Sequence, residues 1–322
     1  MKKLLIITQK VDKDDPILGF FHRWIEEFAK NVERVTVICL ERGKFNLPEN
    51  VKVLSLGKEG GQSRLKYLFN FYKYLWRERK NYGVVFVHMN QEYVLLGCLF
   101  WKIWGKKVIM WRNHATGNFF TRVAVYLSDK VFCTSPQSYT AKFRKTEIMP
   151  VGVDAETFFS DPVVKKMSRS ILALGRISAV KRLTLLVQAL LELSRRQVNF
   201  TATIVGSPVT GADEVYEKRL HLLAESLIRS GQLVFRPAVP NHQTPDIYRA
   251  HEIYVNLTPS GSMDKTIFEA MACGCVVILE KEDGSGLAGK IEKKFSTIPG
   301  RYSASEHSLI SLVQLLAKNF IS

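Results

Sequence analysis

Residues 258–279 read TPSGSMDKTIFEAMACGCVVIL. A polar, glycine-containing loop leads into a helix-like run that closes at Gly274, and an apolar strand-like run follows. This order predicts one repeat of a parallel sheet, in which a loop at the carboxyl end of a strand opens a helix that returns to the next strand. Glu269 is the one carboxylate of the predicted helix, and it lies in the first or second turn.

The same alternation extends along all 322 residues. Short apolar runs rich in Val and Ile recur, seven before residue 155 and five after residue 168, and each is typical of a strand covered on both faces. Helical periodicity falls between most of them, in residues 17–30, 64–80, 93–104, 181–196, 214–230 and 265–273. We therefore expect an α/β fold of two facing Rossmann-like doubly wound domains, with ligands bound in an interdomain cleft at the strand ends.

The alternation lapses over residues 155–168, where a proline appears. We place the domain boundary in this stretch, which gives an N-terminal domain of residues 1–158 and a C-terminal domain of residues 159–322. The last helix is expected to stop short of the N-terminal domain.

The chain carries a net charge of +16, and residues 1–160 hold 26 Lys and Arg against 15 Asp and Glu. This excess indicates a nucleic acid, an anionic lipid or a phosphorylated substrate as partner. No apolar stretch reaches the roughly 20 residues that span a bilayer. Five cysteines without paired spacing favour a reducing compartment, hence the cytoplasm, and neither their spacing nor the acidic residues predict a metal site.

The stretch ILALGRISAVKRLTLLVQAL, residues 171–190, places two cations where a strand ends and a helix begins. The strand ends at Gly175, Arg176 follows at once, and Lys181 lies near the helix start. A helix N-terminus favours anions, and Arg and Lys both bind phosphate oxygens. The pair is either a diphosphate clamp or two solvated surface cations.

The helix before Glu269 offers a second anion site, because the N–H groups of residues 263–266 lack partners within the helix. A carboxylate one turn deeper can accept two hydroxyl hydrogen bonds from a ribose. The alternative is an ordinary early-helix glutamate favoured by the helix dipole.

Three motifs in order resemble the retaining glycosyltransferases of family four: VGVD at 151–154, LGRIS with a later lysine from 174, and LTPSGSMDKTIFEAMACGCVVI from 257. The resemblance is strong over residues 149–279 and looser at KVIMWRNHATG, residues 107–117. It implies the GT-B fold and transfer of a sugar from a nucleotide-diphosphate sugar, most commonly a UDP-sugar, to a hydroxyl acceptor without a further cofactor. It also implies an acceptor-binding N-terminal domain and a nucleotide-sugar-binding C-terminal domain.

The resemblance also assigns roles to residues. Arg176 and Lys181 resemble the pair that binds the donor diphosphate, and Glu269 resembles the glutamate that holds the ribose. The family's other glutamate falls at Gly261, so this chain departs from the pattern at the donor sugar. The expected donor-binding set is Gly175, Arg176, Lys181, Ser262, Met263, Asp264, Lys265, Thr266 and Glu269. The expected catalytic residues are His114, Arg176 and Lys181.

The first strand-to-helix loop and the end of a later strand are expected to bind the acceptor, through Gly19, Phe20 and His88. The acceptor would be a saccharide or a lipid-linked saccharide, in the synthesis of cell-surface polysaccharide or glycolipid.

Residues 64–82 combine six Lys and Arg with seven aromatic residues. A basic aromatic helix indicates either a peripheral element on an anionic, cytoplasmic membrane surface or a core helix with a solvated basic rim. No nucleic-acid module signature accompanies it, so nucleic acid is not expected as a partner. Two other functions stay open: an inactive sugar-nucleotide-binding partner subunit, motivated by Gly261, and a sugar-nucleotide epimerase.

Overall fold

The computed structural model describes residues 2–259, 264–279, 286–295, 309–310, 312–314 and 316. The chain forms two compact units, and the second begins at Val153, six residues before the predicted start at residue 159. Gly152 has a φ of 75°, a left-handed conformation that favours glycine. This left-handed residue lies upstream of the lapse in the alternating pattern.

The first unit is built on a seven-stranded sheet in which every pairing is parallel. Its strands are β1 (Lys3–Val11), β2 (Arg34–Arg42), β3 (Val51–Ser55), β4 (Val84–His88), β5 (Lys107–Trp111), β6 (Lys130–Cys133) and β7 (Thr146–Ile148). They lie in the order β3-β2-β1-β4-β5-β6-β7. Chain order reverses between β1 and β4, so the carboxyl ends of these two strands define the switch point where doubly wound sheets bind ligands.

Helices cover both faces of this sheet: α1 (Phe20–Asn31), α2 (Arg64–Glu78), α3 (Glu92–Ile103) and α4 (Phe119–Leu127). The apolar residues of α2, α3 and α4 pack in one core cluster, and those of α1 pack in another. The strands between them, such as β4, are buried along their whole length. This two-sided burial explains why their sequences are continuously apolar.

The expectation that the last helix stops short of the first unit is wrong. Leu309, Leu312, Val313 and Leu316 are buried in the same cluster as α1. Leucine side chains of this last segment bury apolar surface that would otherwise face water.

The second unit begins at Val153 and contains a five-stranded parallel sheet. Its strands are β8 (Ser170–Leu174), β9 (Thr201–Val205), β10 (Leu233–Arg236), β11 (Ile253–Asn256) and β12 (Val276–Leu279), in the order β10-β9-β8-β11-β12. Its helices are α5 (Leu183–Arg195), α6 (Gly211–Leu223), α7 (Glu225–Arg229), α8 (Thr244–Ala250), α9 (Lys265–Ala272) and α10 (Leu287–Lys294). Chain order reverses between β8 and β11, so this unit has its own switch point.

The two sheets confirm the predicted fold class of paired Rossmann-like α/β domains, and all twelve predicted strands are present. None of the helices in the described part of the chain is long and apolar enough to cross a membrane.

Candidate functional site: the switch point of the second unit

The carboxyl ends of β8 and β11 bring together segments that lie far apart in sequence. Gly175 and Arg176 follow β8 directly, and one crevice at this edge is lined by Gly175, Arg176, Lys181, Tyr254 and Asn256, among others. Gly175 has a φ of 138°, which favours glycine, and the Arg176 side chain is exposed. The two predicted cations therefore share the edge of the sheet at which doubly wound folds bind ligands.

Lys181 does not stand as a solvated surface cation. Its ammonium forms an ion pair with the carboxylate of Asp264, and the two side chains are only 22% and 16% exposed. The carboxylate also accepts a hydrogen bond from Asn256 Nδ2 at 3.0 Å. Although burial by itself raises the pKa of Asp264, Lys181 and the hydrogen bonds hold that pKa below its ordinary value. The carboxylate therefore stays ionised and keeps Lys181 at the edge of the sheet.

Asp264 also begins α9, because its Oδ1 accepts hydrogen bonds from the backbone N–H and the hydroxyl of Thr266 at 3.3 and 2.9 Å. Such an N-cap satisfies one of the N–H groups that a helix start leaves without a partner. The Thr266 hydroxyl lies 2.7 Å from the hydroxyl of Tyr254, which is fully buried in β11. The start of α9 is thus fixed to the sheet by a chain of hydrogen bonds.

Glu269 lies one turn further along α9, and it is 2% exposed. Its carboxylate oxygens accept hydrogen bonds from Asn241 Nδ2 at 3.2 Å and from the Tyr248 hydroxyl at 3.4 Å. The ammonium of Lys265 lies 3.9 Å from Glu269 Oε1. Burial raises the pKa of Glu269, and burial lowers the pKa of Lys265. Burial of a carboxylate costs free energy, which makes Glu269 a candidate for a functional role.

The other predicted donor residues divide into two groups. Lys265 and Thr266 lie in the first turn of α9. Ser262, Met263 and the departure at Gly261 lie outside the described residues. Asn241, Tyr248, Tyr254 and Asn256 touch the predicted residues but were missed from the sequence. Only Asn256 carried a local signal, as a polar residue that closes a buried strand.

The predicted acceptor residues of the first unit lie at its own switch point. Gly19 and Phe20 stand at the start of α1, which follows β1, and His88 is the last residue of β4. The His88 imidazole is 2% exposed, stacks on the Phe21 ring with 3.8 Å between centroids, and lies 3.1 Å from Thr8 Oγ1 through Nδ1. These contacts leave little of the His88 ring open, so acceptor contact by His88 stays a prediction.

Gly19 is required by its surroundings, since a Cβ there would lie 2.4 Å from the carbonyl oxygen of Asp15. The same carbonyl accepts the Gly19 N–H at 3.0 Å. The glycine therefore serves a tight turn that leads into α1, and its predicted part in acceptor binding stays a prediction.

His114 follows β5 and is exposed. Its Nδ1 accepts the backbone N–H of Thr116 at 3.1 Å, and its carbonyl oxygen accepts the N–H of Tyr139 at 2.8 Å. Arg112 donates to the Thr116 carbonyl oxygen at 3.0 Å, and Tyr139 packs so close to Gly117 that a Cβ there would lie 2.2 Å from the ring. The loop therefore holds the His114 backbone firmly while the imidazole stays accessible.

Within the described residues, no group of three or more His, Cys, Asp or Glu side chains is arranged to hold a metal ion. At the second unit's switch point the cationic groups are Arg176, Lys181 and Lys265. What the arrangement offers chemically is positive charge and helix N–H groups beside a buried carboxylate.

Comparison with solved structures shows the class of fold. The chain aligns over 100% of its length with 100% of an Anabaena HepE structure in complex with UDP-glucose, with a TM-score of 0.77 and 18% identity. It aligns over 98% of its length with WaaG, described as a glycosyltransferase involved in lipopolysaccharide biosynthesis, with a TM-score of 0.70 and 13% identity. The fold is that of the GT-B proteins.

Comparison of the sequence finds one family model. Residues 154–295 match the model of the glycosyl transferases group 1 family. A D-inositol 3-phosphate glycosyltransferase of Frankia alni is 31% identical over 152 residues, which are 44% of this chain and 37% of that protein. Mannosylfructose-phosphate synthase of Agrobacterium fabrum is 25% identical over 174 residues, 48% of this chain and 38% of that protein. The alignments thus span well under half the length of these relatives.

Proposed function

We propose that the protein is a retaining glycosyltransferase, which moves a sugar from a UDP-sugar to a hydroxyl acceptor. The observation that carries the proposal is that Lys181 is paired with Asp264 at the start of α9 and that Glu269 lies about one turn further along the same helix, in the region that matches the glycosyl transferases group 1 model. The group combines a cation, helix N–H groups and a carboxylate, which are the partners that a nucleoside diphosphate needs.

Departure of the nucleoside diphosphate builds negative charge on its leaving oxygen. Arg176 and Lys181 would stabilise this charge, together with the N-terminal N–H groups of α9. Positive groups that are already in place need no reorganisation during the reaction, which makes each one more effective than the same charge in water.

The Glu269 carboxylate would accept hydrogen bonds from the two ribose hydroxyls. Its oxygens accept hydrogen bonds from Asn241 and Tyr248, and these two side chains orient the carboxylate. Hydrogen bonds to a charged group contribute about 1.5–3 kcal/mol each, compared with about 0.5–1.5 kcal/mol between neutral groups.

His114 would orient the transferred sugar and would not attack it. Its Nδ1 is engaged by the loop, so the ring is held in one orientation. Retention of configuration would then come from attack on the same face of the sugar that the leaving group occupies.

The direct test combines binding and turnover. Calorimetry with UDP should show binding to the wild type, and Lys181→Met should weaken it by roughly 10- to 150-fold, the equivalent of one charged hydrogen bond. Lys218→Met is the matched control, because Lys218 is an exposed lysine on α6 of the same unit. Incubation with labelled UDP-sugars and saccharide acceptors should yield a glycoside that keeps the donor's anomeric configuration. Equal UDP affinity in both variants would contradict the assignment of Lys181.

The departure at Gly261 motivates a second candidate function, a partner subunit that binds sugar nucleotides without turnover. Tight UDP-sugar binding with neither transfer nor hydrolysis across a panel of acceptors would support this second function over the first.

We propose further that the protein acts on lipid-linked or polysaccharide acceptors at the cytoplasmic face of a membrane. Its basic aromatic surface consists of the outer sides of α2 and α3. Large apolar side chains there are exposed: Leu65 at 80%, Phe69 at 61%, Trp76 at 58%, Leu99 at 68% and Ile103 at 70%. On α2 only Phe71, Leu75 and Glu78 are buried, which favours a surface helix over a core helix.

Cations accompany these apolar groups. Lys66 lies 5.3 Å from the Phe69 ring centroid, and the Arg79 guanidinium lies 4.3 Å from that of Trp76. Apolar side chains flanked by Lys and Arg match an anionic lipid surface, in which the rings enter the interface and the cations face the headgroups. All five cysteines are unpaired and buried, as suits a reducing cytoplasm.

Sedimentation with vesicles tests the membrane proposal. The wild type should bind vesicles that contain anionic lipid, and binding should fall as salt increases. The variant Leu65→Ser, Phe69→Ser, Ile103→Ser should lose most of this binding. Leu222→Ser is the control, since Leu222 is 74% exposed on the second unit. The proposal would be contradicted if the control lost vesicle binding, or if the triple variant bound vesicles as well as the wild type.

A further inference from the structure

Asp264 uses all of its acceptor capacity inside the protein. Oδ1 accepts the N–H and the hydroxyl of Thr266, and Oδ2 accepts Asn256 Nδ2 and the ammonium of Lys181. A carboxylate has about four lone-pair sites, and these four bonds occupy them. Asp264 therefore has no site left for the hydroxyls of a donor sugar, although it follows Gly261, the position of the missing glutamate, by only three residues in the sequence.

The same bonds restrict Lys181. A free lysine side chain has about 2 kcal/mol of rotamer entropy to lose when it is held in one position. Here Asp264 binds the ammonium, and the Lys181 chain passes over Gly175, where a Cβ would lie 3.4 Å from Lys181 Cε and 3.6 Å from Nζ. The ion pair occupies one of the three ammonium N–H groups, and two are left to donate.

We propose that Asp264 is a positioning residue, which fixes the Lys181 ammonium at the carboxyl ends of β8 and β11 ready for the diphosphate of the donor, and that it does not bind the donor sugar. This inference rests on the proposed function. Its physical basis is that a group held in its bound position before binding loses less entropy when the ligand arrives.

Asp264→Asn tests the role, because Asn is as good an N-cap as Asp but cannot form the ion pair. We expect UDP affinity to fall roughly 10-fold, with the ratio of UDP-glucose to UDP affinity unchanged. In a Lys181→Met background the same substitution should have no further effect on UDP affinity. Serine also caps helices, so Asp264→Ser should lower UDP affinity as much as Asp264→Asn does. Agreement between the two variants would show that the loss comes from the missing ion pair.

Asp161→Asn is the matched control, since Asp161 is a turn aspartate of the same unit whose carboxylate accepts the Val163 N–H at 2.9 Å. It should leave UDP affinity unchanged. A wild type that binds no nucleoside diphosphate would overturn the proposed function itself. A wild type that binds UDP, with Asp264→Asn binding equally or more tightly, would overturn only the positioning role. A selective loss of UDP-glucose affinity would instead make Asp264 a sugar ligand.

Discussion

Leu312 lies near the end of the chain and is fully buried against the first unit. The packing around it is tight, because a Cβ on Gly152 would lie 2.4 Å from Leu312 Cδ2 and 2.9 Å from Trp24 Cζ2. Leu→Ala in such a core costs about 2–5 kcal/mol, and sites that cannot collapse fall in the upper part of this range. We expect Leu312→Ala to lower the free energy of unfolding of the first unit by about 3–5 kcal/mol.

Tryptophan fluorescence during urea unfolding is the assay, because all five tryptophans lie in the first unit. With a urea dependence of about 2 kcal/mol per molar, the midpoint should fall by roughly 1.5–2.5 M. Ile310→Ala is the control, since Ile310 is 44% exposed in the same segment, and its midpoint should stay within about 0.3 M of the wild type. Equal midpoints for the two variants would refute the docking of the last segment on the first unit.

Three further predictions concern the second unit and the cysteines. Burial raises the pKa of Glu269 above that of the unfolded chain, so its contribution to stability is fully present at low pH and is lost as pH rises through the folded-state pKa. In thermal melts, the stability of Glu269→Gln should therefore increase relative to that of the wild type as pH rises from 4 to 8. Its UDP affinity should fall roughly 30-fold. If the melting temperatures of both proteins changed equally with pH, this prediction would be contradicted. Gly206→Ala would place a Cβ 2.0 Å from the Gly175 carbonyl oxygen, so it should displace Gly175 at the carboxyl end of β8. Calorimetry should then show UDP binding weakened roughly 10-fold. Unchanged UDP affinity would contradict this displacement. Burial raises the pKa of both the Cys39 and the Cys273 thiols to about 12. Iodoacetamide at pH 8 should therefore label these thiols more than about 100-fold slower in the folded protein than in urea. Equal labelling rates would contradict their burial.

The helices were predicted less completely than the strands. The predicted helix over residues 214–230 is two helices, α6 and α7, which divide at Ala224. The short helices α4, α8 and α10 were not predicted. Helical periodicity is clearest in a window of about 11 residues or more, and these three helices have seven to nine; α9 has eight, but its polar loop and Gly274 marked its two ends. Such short helices are stabilised by tertiary packing, which a local pattern does not contain.

The domain boundary and the chain end show the same limit. The lapse in the alternating pattern over residues 155–168 lies just after Val153, where the second unit begins. Burial of Leu312 depends on a core cluster with Trp24 that forms only once the first sheet and α1 have packed. Neither feature has a local signature in the sequence.

The sequence alone determined the twelve strands, their parallel arrangement, and the placement of Arg176, Lys181 and Glu269 where strands end and helices begin. Residue periodicity and turn composition are local properties, and they suffice for this. The tertiary structure decided which of these groups meet. Strand order places β8 beside β11, which pairs Lys181 with Asp264 across 83 residues and surrounds Glu269 with Asn241 and Tyr248. Such contacts depend on the order of strands in the sheet, and many orders are compatible with the same alternating sequence.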